Sequence, residues 1–309
     1  MYKAFIHRFI RSIKWSLLFF PKNPRLELYI RRMDKINRAF YARVLADKEK
    51  SVDTYLEKYK HQPLPKFIWT YWAQGADSAP YVVMKCFESW RDQNENWKFN
   101  VLDETNIAQF VDMSDLPRWL PFRYRANILR LRLLKQYGGV WVDSTTFCHR
   151  PLDEWLQLMC STGFFVFSNP SEDRFVENWF IASTKGHLLV DSWEREYARY
   201  IRRLPYPHEA YFVAFYTFQW AILNDKVLGE AYRRCAALPA AQTFFLMSYF
   251  DGRTDFCDVK ALVDAGLPVS KLNWRLKMSD QEIDSRLESL REGCKSGLCS
   301  AEQTDGAQA

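Results

Sequence analysis

Hydrophobic positions along the chain change their period several times, and each change marks an element. Tyr2, Phe5, Ile6, Phe9, Ile10, Ile13, Leu17 and Phe20 recur at helical spacing, with Lys3, His7, Arg8, Arg11 and Lys14 mostly opposite them, until Pro21. This predicts a basic amphipathic helix over residues 1–21. Residues 22–62 predict a helical extension, since Leu26 to Lys60 holds no Gly or Pro, and Pro63 and Pro65 then stop it. A buried strand follows in Lys66 to Trp72. Helical spacing returns for Val82, Val83, Cys86, Phe87 and Trp90, a second strand ends at Asp103, and "ETNIAQFVDM" reads as a short helix. Alternating strand and helix predicts an α/β fold with a central, mostly parallel sheet covered by helices.

The helix from about Arg123 to Tyr137 closes at Gly138, and Val140, Trp141 and Val142 form a short strand buried on both faces. Asp143 therefore stands at the carboxyl end of a central strand, where open α/β sheets bind their ligands. Farther on, "GFFVFSN" reads as a strand and "ENWFIAS" as either a strand or a helix start. "LLVDSWEREYARYIRR" and the aromatic "EAYFVAFYTFQWAILND" read as helices. A C-terminal helix opens on a capping box, Ser279 with Glu282, and stops at Gly293; residues 293–309 read as a disordered tail.

Charge changes this picture at one end. Residues 1 to 50 hold thirteen Lys or Arg against four acids, so the net charge of +6 is concentrated there and the remainder is slightly acidic. A basic amphipathic helix suits a membrane surface, at about 1 kcal/mol per basic residue near anionic lipid, or docks on its own domain. Its longest apolar run, Leu17 to Phe20, is far short of the roughly 20 residues that span a bilayer, and no small-residue cleavage site follows. No nucleic-acid motif is present, and the aromatic residues lie apart from the charges, which argues against a nucleic-acid partner. The seven scattered cysteines read as reduced thiols of a cytoplasmic protein.

Candidate chemistry gathers before and after the two glycines. Asn127 and Arg130 share a helix face, and Arg123, Arg125, Arg132 and Lys135 make the same helix basic. A guanidinium beside a strand-end carboxylate can hold a diphosphate while the acid handles a metal or a sugar hydroxyl. The spacing fits equally well a simple Arg130–Asp143 ion pair. His149, His187 and His208 are candidate acceptor bases, but each reads more readily as a surface or core histidine.

"PKFIWTYWAQG", "SWRDQNENWKFNVLDETN" and "RANILRLRLLKQYGGVWVDSTTF" together resemble the bacterial capsular polysaccharide synthesis proteins. These are relatives of the Asp-x-Asp glycosyltransferases that include yeast initiating mannosyltransferases and clostridial glucosylating toxins. The likeness covers roughly Pro65 to Leu152, with echoes in "NWFIAS" and "PVSKLNW". It implies a GT-A-like nucleotide-sugar-binding fold over residues 63–292. It also implies a retaining glycosyltransferase that moves a sugar from a nucleoside diphosphate to a capsular or lipopolysaccharide glycan, free or lipid-linked, at the cytoplasmic face of the bacterial inner membrane.

By the same resemblance, Trp69 stacks on the donor base, Arg130 meets the donor sugar and phosphates, and Asp143 is the first acid of the Asp-x-Asp element. Asp103, Ser144, Lys271 and Trp274 fall on the donor side and Asn178 in the acceptor cleft. Asp103 and Asp153 are the positional candidates for a second carboxylate. Two departures stand out: Asn127 replaces the helix aspartate, and Thr145 the second acid. Mg²⁺ or Mn²⁺ is expected on Asp143 and Thr145, with fewer carboxylates than a full Asp-x-Asp supplies. The missing acid also admits a catalytically silent subunit that only binds sugar nucleotide.

Overall fold

The computed structural model describes residues 62–117, 119–171, 174–203 and 211–291. The expected N-terminal helices, the tail from residue 293 and His208 lie outside the described residues. Six strands form the main sheet: β1 (Phe67–Tyr71), β2 (Lys98–Leu102), β3 (Gly139–Val142), β5 (Phe164–Ser171), β6 (Arg174–Ser183) and β7 (Leu238–Pro239), in the order β2-β1-β3-β6-β5-β7. β1 is parallel to β2 and β3, β5 is parallel to β7, and β6 runs against both of its neighbours. The sheet is thus mostly parallel, as the alternation predicted, and "ENWFIAS" is the strand that breaks the rule.

Helices cover both faces. On one face α2 (Phe122–Tyr137), α4 (Leu188–Arg202), α5 (Val213–Asn224) and α6 (Lys226–Arg233) pack on Trp69, Trp141, Val176 and Ile181. On the other, α1 (Tyr81–Gln93) and α3 (Leu152–Met159) cover Ile68, Val140, Val142 and Phe180. A satellite core joins α1 to α7 (Phe245–Phe250), α8 (Phe256–Asp264) and α9 (Asp280–Arg291). α9 carries its capping box: the Glu282 N–H donates to Ser279 Oγ at 3.3 Å, and Glu282 accepts from the Ser279 N–H at 2.8 Å.

Two features depart from expectation. "ETNIAQFVDM" holds only a single 3-10 turn, Ile107–Gln109. A two-stranded antiparallel sheet also appears, pairing β4 (Thr146–Cys148) with β8 (Val269–Lys271) in the register Thr146↔Lys271. It clips the C-terminal third of the domain to the segment directly after Asp143. Cys86, Cys148, Cys160 and Cys235 are free thiols, whereas Cys257 is disulfide-bonded, against the expectation of thiols throughout.

The two glycines have separate jobs. Gly138 takes φ 72° and caps α2, its N–H donating to Leu134 O at 2.9 Å. Gly139 opens β3 at φ 94°, where a Cβ would lie 2.4 Å from Phe67 O, so no side chain fits between β3 and β1. The chain thus turns from helix into central strand without a loop, and Arg130 and Asp143 end on the same side of the sheet.

Candidate active site

A cavity of about 410 Å³ opens at the carboxyl ends of β1 and β3, and Asn127, Arg130, Asp143, Ser144, Thr145, Asn178, Lys271 and Trp274 all line it. Its charged floor is built around Asp143. One carboxylate oxygen accepts from Trp141 Nε1 at 3.0 Å and lies 3.2 Å from Arg130 Nη2; the other is 3.6 Å from Lys271 Nζ. Burial pulls this carboxyl upward, but the Arg130 and Lys271 charges and the Trp141 N–H outweigh it and hold it below the usual carboxylate range.

Arg130 is 5% exposed, and its surroundings fix it closely. Its guanidinium lies 5.0 Å from the Trp141 ring centre, Nη1 donates to Asn178 O, and Nε donates to Ala126 O at 3.3 Å. Asn178 Nδ2 donates to Asn127 Oδ1 at 3.1 Å, and Asn127 Nδ2 to Tyr197 Oη at 3.3 Å. The asparagine in place of the helix aspartate thus ties α2 to β6 with neutral amides. Arg132 and Lys135 turn the other way, pairing with Asp115, Asp191 and Glu194 and fixing α2 to α4 and the preceding loop.

Lys271 arrives with β8. Its ammonium donates to Thr145 Oγ1, and the Leu272 N–H donates to Thr145 O at 2.7 Å. Asp143 and Thr145, the two expected metal ligands, therefore share a lysine ammonium between them. A divalent ion needs several hard oxygen ligands with no competing cation. The donor set here, one carboxylate already bound by an arginine and one hydroxyl bound by a lysine, does not fit such an ion.

Several expected residues lie elsewhere. Trp69 is in the core, its Nε1 donating to Gly138 O at 3.0 Å and its ring packed among Phe67, Phe110 and Tyr137, so it offers no face to a ligand. Asp103 closes a turn at the end of β2, accepting from Thr105 N, Thr105 Oγ1 and Asn106 N, and does not line the cavity. Asp153 pairs with Lys66 at 2.8 Å and Trp97 Nε1 at 3.0 Å. His149 bonds Ser270 Oγ, and fully buried His187 caps α4 by accepting from Leu189 N.

Other residues take their places. Trp72, one step beyond β1, lines the cavity and meets Trp274 edge to face at 6.1 Å. The strand-end logic that picked out Asp143 applies to it equally. Tyr211 and Phe215 line the cavity as well. Behind them Glu177, a lone acid within an apolar strand, is buried and lies 3.2 Å from Arg174. Burial pushes its carboxyl up to about 7, although Arg174 and Lys271 pull it down.

The fold is thus α/β, with a cationic cavity at the carboxyl edge of a mostly parallel sheet, the edge at which open sheets of this kind bind their ligands. The chain belongs to the family described as capsular polysaccharide synthesis protein, which matches residues 25–290. It is 32% identical over 159 residues to an initiation-specific alpha-1,6-mannosyltransferase of Candida albicans, covering 42% of this chain and 41% of that one. It is 25% identical over 151 residues to an O-glycosyltransferase of Annulohypoxylon truncatum, covering 41% and 36%. A glycosyltransferase of Acanthamoeba polyphaga mimivirus, itself uncharacterized, matches at 26% over 137 residues, 41% of this chain and 53% of its own. The chain thus spans about a third to a half of these relatives. Among solved structures, the PaToxG glycosyltransferase aligns over 84% of this chain and 95% of its own, at 14% identity and a TM-score of 0.40, too loosely to carry an argument.

Proposed function

We propose that the protein is a retaining glycosyltransferase of GT-A type, moving a sugar from a nucleoside diphosphate donor to a hydroxyl of a capsular or lipopolysaccharide glycan or its lipid-linked precursor. The observation that carries this reading is the meeting of Arg130, Lys271 and Asp143 at the floor of the cavity, in a chain of this family. Trp72 and Trp274 form the wall for the donor base. The Trp72 indole N–H is buried without a hydrogen-bond partner among the described residues. Asn178 and Tyr211, which both line the cavity, are assigned to the acceptor side.

In the transfer, the bond from the anomeric carbon to the diphosphate oxygen breaks, and negative charge grows on that oxygen. Arg130 and Lys271 are fixed in advance where this charge develops, which favours the transition state over the bound donor. The acceptor oxygen forms the new glycosidic bond, and its proton passes to the departing diphosphate. Asp143, held ionised between two cations, is a poor base. That supports attack on the face the diphosphate leaves, hence retention of configuration.

Purified protein offered UDP- and GDP-hexoses is expected to hydrolyse one of them slowly, and Asp143→Ala to abolish the hydrolysis. Binding without turnover, with donor and acceptor both supplied, would instead make the chain a silent sugar-nucleotide-binding subunit.

A further inference from the structure

We infer that the Lys271 ammonium does in this site what a divalent ion does in an Asp-x-Asp site, binding the donor diphosphate directly together with Arg130. The inference rests on the transferase reading above. Its ground is position. Lys271 Nζ donates to Thr145 Oγ1 and stands 3.6 Å from Asp143 Oδ2, so it occupies the space between the two side chains that would have to hold a metal. Two cations cannot share that space without strong repulsion. The remaining oxygen, Asp143 Oδ1, is committed to Arg130 and to the Trp141 indole.

The charge of the cavity agrees with this. Among the described residues that line it, Arg123, Arg130 and Lys271 stand against a single carboxylate, Asp143, a net of two positive charges. That matches the two ionised phosphates of a sugar-nucleotide diester, whereas an added divalent ion would leave the site with twice the charge of its ligand. Donor capacity agrees as well. An ammonium has three N–H groups, and Thr145 and Asp143 take two directions, which leaves one for a phosphate oxygen. The lysine is also held by its backbone. The register Thr146↔Lys271 and the Leu272 N–H to Thr145 O bond fix its Cα beside the acid, so the charge is placed before the donor arrives. Asp143 then serves as the anion that spaces and aims two cations, which needs only one acid, and the hydroxyl of Thr145 suffices where a second carboxylate would stand.

The test is calorimetric titration of the full chain with UDP, GDP and inorganic pyrophosphate, in EDTA and again in Mn²⁺. The expected result is that one nucleoside diphosphate binds in EDTA within about threefold of its affinity in Mn²⁺. Lys271→Met should weaken it by about tenfold or more, and Lys271→Arg should recover most of the loss. Binding that appears only with Mn²⁺ overturns the inference and leaves the transferase reading standing. So does a Lys271→Met protein that binds as the wild type does. A wild-type chain that binds none of the three probes in either condition overturns both.

Discussion

Asp143 answers to more neighbours than its position in the chain suggests. It was legible in the sequence, as was Arg130, because both lie within one short helix-glycine-strand segment whose geometry local rules dictate. Trp69 was misread for a physical reason. A two-residue period tells which face of a sheet a ring takes, not whether that face ends in packed core or in open cleft, and only Trp72, past the last strand residue, reaches the cleft. Glu177 went unnoticed, though an acid inside "FVENWFIAS" is a costly thing to bury unless it is paired or neutral.

Its consequence is a pH dependence with a definite sign. Below about pH 4.5, its ordinary value, Glu177 is protonated in both folded and unfolded chains. Between that value and about 7 the unfolded chain releases the proton while the folded one keeps it, so stability falls as pH rises. Across the full interval the loss is about 3 kcal/mol, and it levels off above. Glu177→Gln is expected to flatten this slope, measured as urea midpoints at about pH 5 and about pH 8.

At the level of elements, α1, α2, α4, α9 and the first three strands of the main sheet were read within a residue or two, α5 starts four residues inside its expected segment, and the capping box of α9 forms as its spacing implied. The β4–β8 pair escaped because two three-residue strands carry too little pattern, and their partnership is a matter of tertiary packing. The sharpest element-level prediction concerns the join between α2 and β3. Gly139→Ala places a methyl against Phe67 O and forces a non-glycine residue into positive φ, so it is expected to cost about 3 kcal/mol or more. A lowered denaturation midpoint would show this. Donor hydrolysis should fall with it, because the same join sets the distance from Arg130 to Asp143.

At the scale of the whole molecule, two hydrophobic layers close over the sheet and leave its carboxyl edge to the cavity. Among the described residues no helix is long and apolar enough to cross a membrane. The basic segment of residues 1–21, which lies outside the described residues, is proposed as the contact with a membrane surface. Deleting it is expected to release the protein from phosphatidylglycerol vesicles at low salt while donor hydrolysis continues; vesicle binding that persists unchanged would refute the anchor.

The clip between β4 and β8 has a consequence for how the site comes into being. Thr145 and Lys271 are 126 positions apart, so in a chain emerging from the ribosome Arg130 and Asp143 are made long before Lys271. A fragment ending ahead of Val269 would contain the first two of these residues and lack the lysine. Under the donor reading proposed above, competence to grip a pyrophosphate is withheld until nearly the entire domain has been made and folded, which ties the onset of that activity to completeness of synthesis.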